Sequence, residues 1–316
     1  ENEDFRKHIE SWAEVCKRLR VWDYAVTYAA PGNLPAPTVQ TYGPDFRFYA
    51  ENNVEGVFTE LEYTITADMR DLKVWMMMKL LEDPYRDYDE LLTTFTDGFY
   101  GAAGEPIRQY LARLEQASDA KPSYLSMGAS PRQYHYLDLP FVLEAQALFD
   151  KAEQTVADGE VLLRRVRFAR LPLDRASIVL FPDLLAQWVR SGHTPETMPL
   201  DRDAVAARCR DTWAAQIAFR IPKGQQEAAL AEIDAELNPL LARPAIVRIS
   251  EKFRDLPPEN VFDFTADTSR NWNDLAKRVP DSEAESGLAN RLELSDEDMK
   301  KYALPMPWGL YDVINK

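Results

Sequence analysis

RLRVWDYAV (residues 18–26) and NNVEGVFTELEYT (residues 52–64) are the two stretches that decide the fold. Each contains an apolar run of strand length, and the first is apolar on both sides, as expected for a parallel strand that helices cover. Between them, a proline-rich loop leads into a helix that opens at Pro44, a residue suited to the first helical turn. A strand, a helix and a second strand in this order predict a unit of a parallel α/β sheet.

Both predicted strands carry carboxylates at or just past their ends. Asp23 lies in the first strand, and Glu60 and Glu62 close the second. An unpaired carboxylate is costly to bury, so acids at strand ends are either paired structurally or placed for chemistry. The carboxyl ends of parallel strands share one edge of a sheet, so we expect Asp23 and Glu60 to lie toward the same end.

The remainder of the chain has a different texture. Residues 4–19 read as an amphipathic helix, and the 3.6-residue patterns and caps predict that residues 86–241 are almost wholly helical. Beyond residue 244, AIVRIS (residues 245–250) and VFDFTAD (residues 261–267) are typical of strands. The sequence therefore predicts an α/β beginning, a mainly helical middle and the start of a β-rich region.

Charge and composition exclude several classes of partner. The chain has 316 residues and a formal net charge of −15, which disfavours nucleic acids and anionic membranes, since both attract basic surfaces. Its apolar runs are too short for a membrane span. The N-terminus is acidic and amphipathic, unlike a secretory signal. Neutral or locally captured anionic ligands fit this composition better.

Metal and cofactor motifs are missing from the sequence. His8, His135 and His193 have no metal-ligand spacing, and no phosphate-binding loop or dinucleotide fingerprint occurs, so we expect neither a metal nor a cofactor. Cys16 and Cys209 lie far apart in helix-like segments. We expect them to be unpaired small hydrophobic residues rather than a disulfide.

Four blocks of the sequence carry a family likeness. VCKRLRVWDY, FRFYAENNVEGVF, LLEDPYRDYDELLTTFTDGFYGAAGEPIRQYL and KAEQTVADGEVLLRRVRFARLPL resemble the later portion of a bacterial family of uncharacterised, α-glucuronidase-like carbohydrate-active proteins. The more specific parts are DGFYGAAGEPIRQYL and RVRFARL. The resemblance extends over nearly the whole chain.

The resemblance implies an architecture. Residues 1–118 would be the C-terminal portion of a (β/α)8-like barrel (TIM barrel), residues 119–244 a helical domain, and residues 245–316 the start of a β-sandwich. Two parallel strands cannot close a barrel or hide their edges, so we expect this chain to need the N-terminal part of the barrel. The resemblance further implies glycan processing in an extracytoplasmic, periplasmic or secreted location.

Candidate site residues surround the two strand ends. Glycosidases commonly use two carboxylates about 5 to 9.5 Å apart, a separation that acids on adjacent strands can reach, so Asp23 and Glu60 are the candidate catalytic pair. Strand alternation places Trp22 and Asp23 on opposite sides, so Trp22 would pack in the core if Asp23 points inward. The candidate substrate-binding residues are Trp22, Tyr24, Tyr28, Glu62 and Tyr63.

Several functions remain open at this level. The first is acid/base hydrolysis of a glycosidic bond in a polysaccharide or oligosaccharide by a glycoside hydrolase-like protein. The alternatives are a non-catalytic glycan-binding module and a helical scaffold, with Asp23 capping the following loop and Glu60 pairing with a lysine or arginine. An arginine near the site, such as Arg47 or Arg86, would favour a uronate, because its planar fork matches a carboxylate.

Overall fold

The computed structural model describes residues 2–25, 34–61, 64–123, 125 and 129–242. They all belong to the first of the two units into which the chain divides, Glu1–Arg248. Of these residues 73% are helical, and two strands form a small parallel sheet. This part of the chain is therefore mainly α. The barrel and the β-sandwich remain predictions, and the predicted strands after residue 244 lie outside the described residues.

The N-terminal part contains both strands of the sheet. Its elements in order are α1 (Asn2–Val15), β1 (Leu19–Ala25), α2 (Tyr42–Glu51), β2 (Val54–Leu61) and α3 (Arg70–Glu82). The two strands and the intervening helix match the predicted order, whereas α1 ends at Val15, earlier than the predicted residue 19. Asn53, which has a φ of 60°, turns the chain from α2 into β2; asparagine tolerates this left-handed conformation better than most residues.

Seven further α-helices follow in the described residues. Aspartates begin three of them: Asp87, Asp138 and Asp201 each accept a hydrogen bond from a backbone N–H of the first turn, which satisfies a donor that the helix itself leaves unpaired. Within residues 86–241, the positions that the structure describes contain no strand, as predicted. The helices are α4 (Tyr88–Tyr100), α5 (Gly104–Ala120), α6 (Leu139–Thr155), α7 (Glu160–Val179), α8 (Phe181–Arg190), α9 (Arg202–Arg220) and α10 (Gln226–Ala242).

Helix α7 lies inside the helical part and brings charged groups into its interior. Asp174 is 1% exposed and accepts hydrogen bonds from Arg208 (Nη2 to Oδ1, 2.7 Å) and from Gln146 (Nε2 to Oδ1, 2.9 Å). Arg175 is also buried and donates from Nη2 to Glu236 at 2.8 Å. Buried charges are tolerated when they are paired and hydrogen-bonded, so these groups stabilise one specific packing of α7.

The first helix packs far less than the others. Phe5 is 45% exposed and Trp12 61% exposed, so these two apolar side chains of α1 have little cover within the described residues. Arg6 lies over the ring of Phe48 in α2, 4.2 Å from its centroid, and Asn53 donates to the Ala13 carbonyl at 2.9 Å. A few such contacts attach α1 to the rest of the fold.

The two cysteines carry free thiols. Cys209, on α9, is buried, and burial raises the pKa of its thiol to about 12. Cys16 follows α1 and is partly exposed. Cys209 therefore behaves as a small apolar side chain of the core, as expected from its position on a helix.

Candidate functional site

The register of the two strands sorts their side chains onto two faces. Trp22 pairs with Phe58, Asp23 with Thr59, and Tyr24 with Glu60. Because successive side chains alternate and paired residues in a parallel sheet point the same way, Trp22, Tyr24, Phe58 and Glu60 share one face. We call it the aromatic face. Asp23 points to the opposite side.

The aromatic face is open. Trp22 is 61%, Tyr24 55% and Phe58 58% exposed. The rings of Trp22 and Tyr24 stack with 27° between their planes and 6.4 Å between their centroids, and Phe58 meets Trp22 edge-on at 4.9 Å. Trp22 therefore does not pack in the core. The three rings form one apolar surface larger than any single side chain.

Glu60 is the carboxylate beside the rings of this face. The indole Nε1–H of Trp22 donates to Glu60 Oε1 at 2.9 Å, which orients the carboxylate beside the rings. Glu60 lies one residue before the end of β2, and its side chain is partly buried. Each oxygen of a carboxylate offers two lone pairs, so such a group can accept several hydrogen bonds.

Asp23 lies on the side of the sheet that packs against the helices. Its strand neighbours Val21 and Ala25 are buried in the hydrophobic core that includes Tyr49 of α2. Asp23 Oδ1 accepts a hydrogen bond from the backbone N–H of Tyr24 at 2.8 Å. Burial raises the pKa of the Asp23 carboxyl, although that backbone hydrogen bond lowers it. The side chain is thus an acid with a structural partner, close to α2.

A second carboxylate, that of Asp45, lies in the same partly buried environment as Asp23. Burial raises the pKa of Asp45, in the first turn of α2, and the negative charge of Asp23 raises it further, while a hydrogen bond from Thr41 lowers it. The pKa of the Tyr49 hydroxyl is raised by burial, and the charges of Asp23 and Asp45 add to the effect. Like charges in a partly buried setting favour a bound proton, so these two acids retain protons at higher pH than exposed carboxyls do.

The structure does not bring the two candidate catalytic acids together. Asp23 and Glu60 lie toward the same end of the sheet, as expected, but on opposite faces. Trp22 and Tyr24 of the candidate binding residues join Glu60 on the aromatic face. The remaining candidates, Tyr28, Glu62 and Tyr63, lie outside the described residues.

Phe58 is a member of the site that sequence reasoning missed. It lies two residues before Glu60 in β2, so strand alternation alone assigns both to one face. The two arginines considered as uronate ligands have other partners. Arg47 donates to the Pro84 carbonyl at 3.4 Å, and Arg86 pairs with Glu82 at 3.2 Å.

Metal and membrane criteria give negative results for the described part of the chain. No group of three or more histidine, cysteine, aspartate or glutamate side chains there is arranged to hold a metal ion. None of the helices of this part is both long and apolar enough to cross a bilayer.

Comparison with known proteins gives one similarity. Residues 1–112 match the family model described as Domain of unknown function (DUF4838). No curated protein and no solved structure gives a significant match to the chain. The matched residues include both strands, so the aromatic face lies in the part that is similar to this family. The likeness to α-glucuronidase-like proteins stays a prediction.

Proposed function

We propose that this chain belongs to a carbohydrate-active protein and that its aromatic face binds a saccharide. The observation that carries the proposal is the cluster of three exposed rings, Trp22, Tyr24 and Phe58, around a carboxylate that Trp22 orients. Exposed apolar patches on soluble proteins commonly mark interaction sites. A surface for a purely apolar partner needs only the rings. The added carboxylate acceptor suits a saccharide, which has hydroxyl groups as well as apolar C–H groups.

The chemistry of a pyranose fits both components of the face. Its C–H groups carry a small positive charge and pack against the electron-rich faces of aromatic rings. Its hydroxyl groups donate hydrogen bonds, for which Glu60 is the acceptor. The stacked pair of Trp22 and Tyr24 provides the platform, and the edge-on ring of Phe58 borders it.

Binding is better supported than hydrolysis. A glycosidase of the usual type needs two carboxylates about the scissile bond. The strands Leu19–Ala25 and Val54–Leu61 contain three acids: Asp23 points away from the aromatic face, Glu55 is held in ion pairs with Arg18 and Arg20, and Glu60 lies beside the rings. The pair of carboxylates that the sequence suggested therefore does not constitute a catalytic pair by itself.

Hydrolysis is the second candidate, and the position of Glu60 favours it. Enzymes with parallel βα units hold catalytic groups at the carboxyl ends of their strands, and Glu60 is at that end of β2. In this case Glu60 acts as one carboxylate of the pair. The partner carboxylate then comes from outside the two strands.

The test is binding of the full chain to an array of neutral and uronate-containing oligosaccharides. Trp22→Ala should weaken binding of the preferred saccharide by about tenfold or more, because it removes the centre of the platform. Trp12→Ala is the matched control, since Trp12 has the same 61% exposure but lies on α1. Equal binding by wild type and Trp22→Ala, or equal losses in both variants, contradicts the proposal.

Sugar release from the same saccharides separates the two candidates. If Glu60 is an acid/base group, Glu60→Gln lowers the turnover rate by about 100-fold to 10,000-fold while the saccharide still binds. If the face only binds, no sugar is released by the wild type, and Glu60→Gln changes affinity alone.

A further inference from the structure

A cavity separate from the aromatic face opens between α3, α4, α7 and α9. Its volume is about 590 Å³, within the range of small-molecule sites. It belongs to the helical part of the fold and shares no residue with the aromatic face. Its lining includes four arginines, one aspartate and three aromatic residues of α3 and α4: Arg70, Arg164, Arg165, Arg220, Asp71, Trp75, Phe95 and Phe99.

The cavity is basic although the chain is acidic. Four arginines and one aspartate give its lining a formal charge of +3, against −15 for the whole chain. Arg220 pairs with Asp71 (Nη2 to Oδ2, 2.6 Å). Within the described residues, Arg70, Arg164 and Arg165 have no carboxylate partner. Three arginines that line this space therefore have no ion-pair partner among the described acids.

Two of these arginines are held in place by neutral groups. Arg165 donates from Nη1 to the Phe99 carbonyl at 2.8 Å, and its guanidinium lies 4.2 Å from the centroid of the Phe99 ring. Arg164 lies over Phe219, 4.4 Å from the ring centroid. Such contacts orient a guanidinium without neutralising it, so most of its five N–H donors stay available for an anion.

The arginines deeper in the helical part behave differently. Arg170, Arg175 and Arg208 all pair with carboxylates, namely Glu153, Glu236 and Asp174. The positive charges of these packed arginines are thus balanced by carboxylates. Arg70, Arg164 and Arg165, in contrast, line a cavity that has room for a ligand.

Aromatic side chains supply the remaining wall. Trp75 packs against Phe95 with 5.4 Å between ring centroids, and Phe95 stacks on Phe99 at 4.9 Å. A pit of about 20 Å³, sufficient for one water molecule, continues from the cavity between Asp71, Arg220 and Gln216. The cavity combines an apolar wall with a basic one.

We propose that this cavity binds a small organic anion: a carboxylate or phosphate group attached to an apolar ring. The guanidinium forks of Arg70, Arg164 and Arg165 match the paired oxygens of either anion. The ring of the ligand packs on Trp75 and Phe99. An anion without a ring would leave the apolar wall exposed to water. A neutral ring would leave the charge of the arginines without a counter-charge.

Calorimetric titration of the full chain with four probes tests this pairing. Phenylacetate and phenyl phosphate carry a ring and an anion, phenylacetamide is the neutral counterpart, and inorganic phosphate is the anion without a ring. We expect half-saturation at about 1 mM for one or both ring-bearing anions, and about tenfold weaker binding of the amide and of phosphate. The preferred anion identifies the acid group. No saturation by either ring-bearing anion up to about 20 mM, or equal affinity for the neutral amide, overturns the proposal.

Charge-removing variants locate the binding. Arg70→Gln and Arg164→Gln should each weaken the preferred anion by about tenfold, the effect of one lost charge-assisted contact. Arg167→Gln is the control, because it removes the same charge from the same helix while its side chain pairs with Glu153. Equal losses in Arg164→Gln and Arg167→Gln would reveal a general charge effect and overturn the assignment. Trp22→Ala, on the aromatic face, should leave this affinity unchanged, so this proposal and the saccharide proposal fail independently.

Discussion

Carboxylates have opposite surroundings in the interior around α7 and on the aromatic face of the sheet. Around α7, Asp174 is sealed from water and shares hydrogen bonds with Arg208 and Gln146. On the sheet, Glu60 has apolar rings beside it, and those rings are more than half exposed. The first arrangement stabilises the fold at the expense of access. The second gives access and contributes little burial, which is the property expected of a binding surface.

The largest effect should come from breaking the interior network. Asp174→Ala leaves Arg208 without its buried partner, and we expect the free energy of unfolding to fall by about 3 to 5 kcal/mol. Urea denaturation followed by circular dichroism measures this loss. A decrease below about 1 kcal/mol would mean that the network contributes little, and the contrast between the two regions would disappear.

A helix cap should give an intermediate effect. Asp201 Oδ1 accepts hydrogen bonds from the backbone N–H groups of Asp203 and Ala204, both at 3.0 Å. Asp201→Ala removes both bonds and should lower the unfolding free energy by about 1 kcal/mol. Asp201→Asn keeps the acceptor and should recover most of the loss in the same urea titration. Equal losses in both variants would show that the side-chain cap is not the source.

The aromatic face should separate stability from binding. Trp22→Ala removes a residue that is 61% exposed, so we expect a change in unfolding free energy within about 0.5 kcal/mol. The same variant should lose saccharide binding, as argued above. A loss of several degrees in melting temperature would instead identify Trp22 as a packing residue. Trp12 would then no longer be a matched control for it.

A smaller effect depends on pH. The folded protein holds a proton on Asp45 at higher pH than the unfolded chain does, because burial and Asp23 raise the pKa of Asp45. The stability contributed by that proton is complete at low pH and is lost as the pH rises through the raised pKa. The stability gain of Asp45→Asn over wild type should therefore grow as the pH rises through the raised pKa of Asp45.

Asp203→Asn is the matched control for this trend. Asp203 also lies in the first turn of a helix, so its replacement removes the same charge beside the same kind of helix terminus. Its side chain is 88% exposed. Thermal melts across the pH range should show the rising gain for Asp45→Asn alone. A parallel trend in both variants would attribute it to the helix terminus rather than to the acid pair.

Local patterns in the sequence were sufficient for the elements. The apolar runs located both strands, and the 3.6-residue patterns located the helical region, because both periodicities are properties of the local chain. The parallel pairing followed from the intervening helix. The faces could not be obtained in this way: alternation separates Trp22 from Asp23 within a strand, whereas the register that aligns Tyr24 with Glu60 depends on how two strands dock.

The basic cavity was also beyond sequence reasoning. Its arginines come from α3, α7 and α9, and Arg70 and Arg220 are 150 positions apart. Their convergence is a product of helix packing, which no short pattern records. Arg47 and Arg86, the two candidate uronate ligands in the sequence, both have partners at the end of α3 instead.

The central claim is that the aromatic face holds the saccharide, and the indole N–H resonance of Trp22 reports on it most directly. In ¹H–¹⁵N spectra of the full chain, assigned through Trp22→Phe, we expect that one signal to shift saturably with the saccharide selected on the array. The indole signal of Trp12 should stay in place. Saturable binding of that saccharide with no shift at Trp22 would contradict the account, because the hydrogen bond from Nε1 to Glu60 lies at the centre of the proposed site.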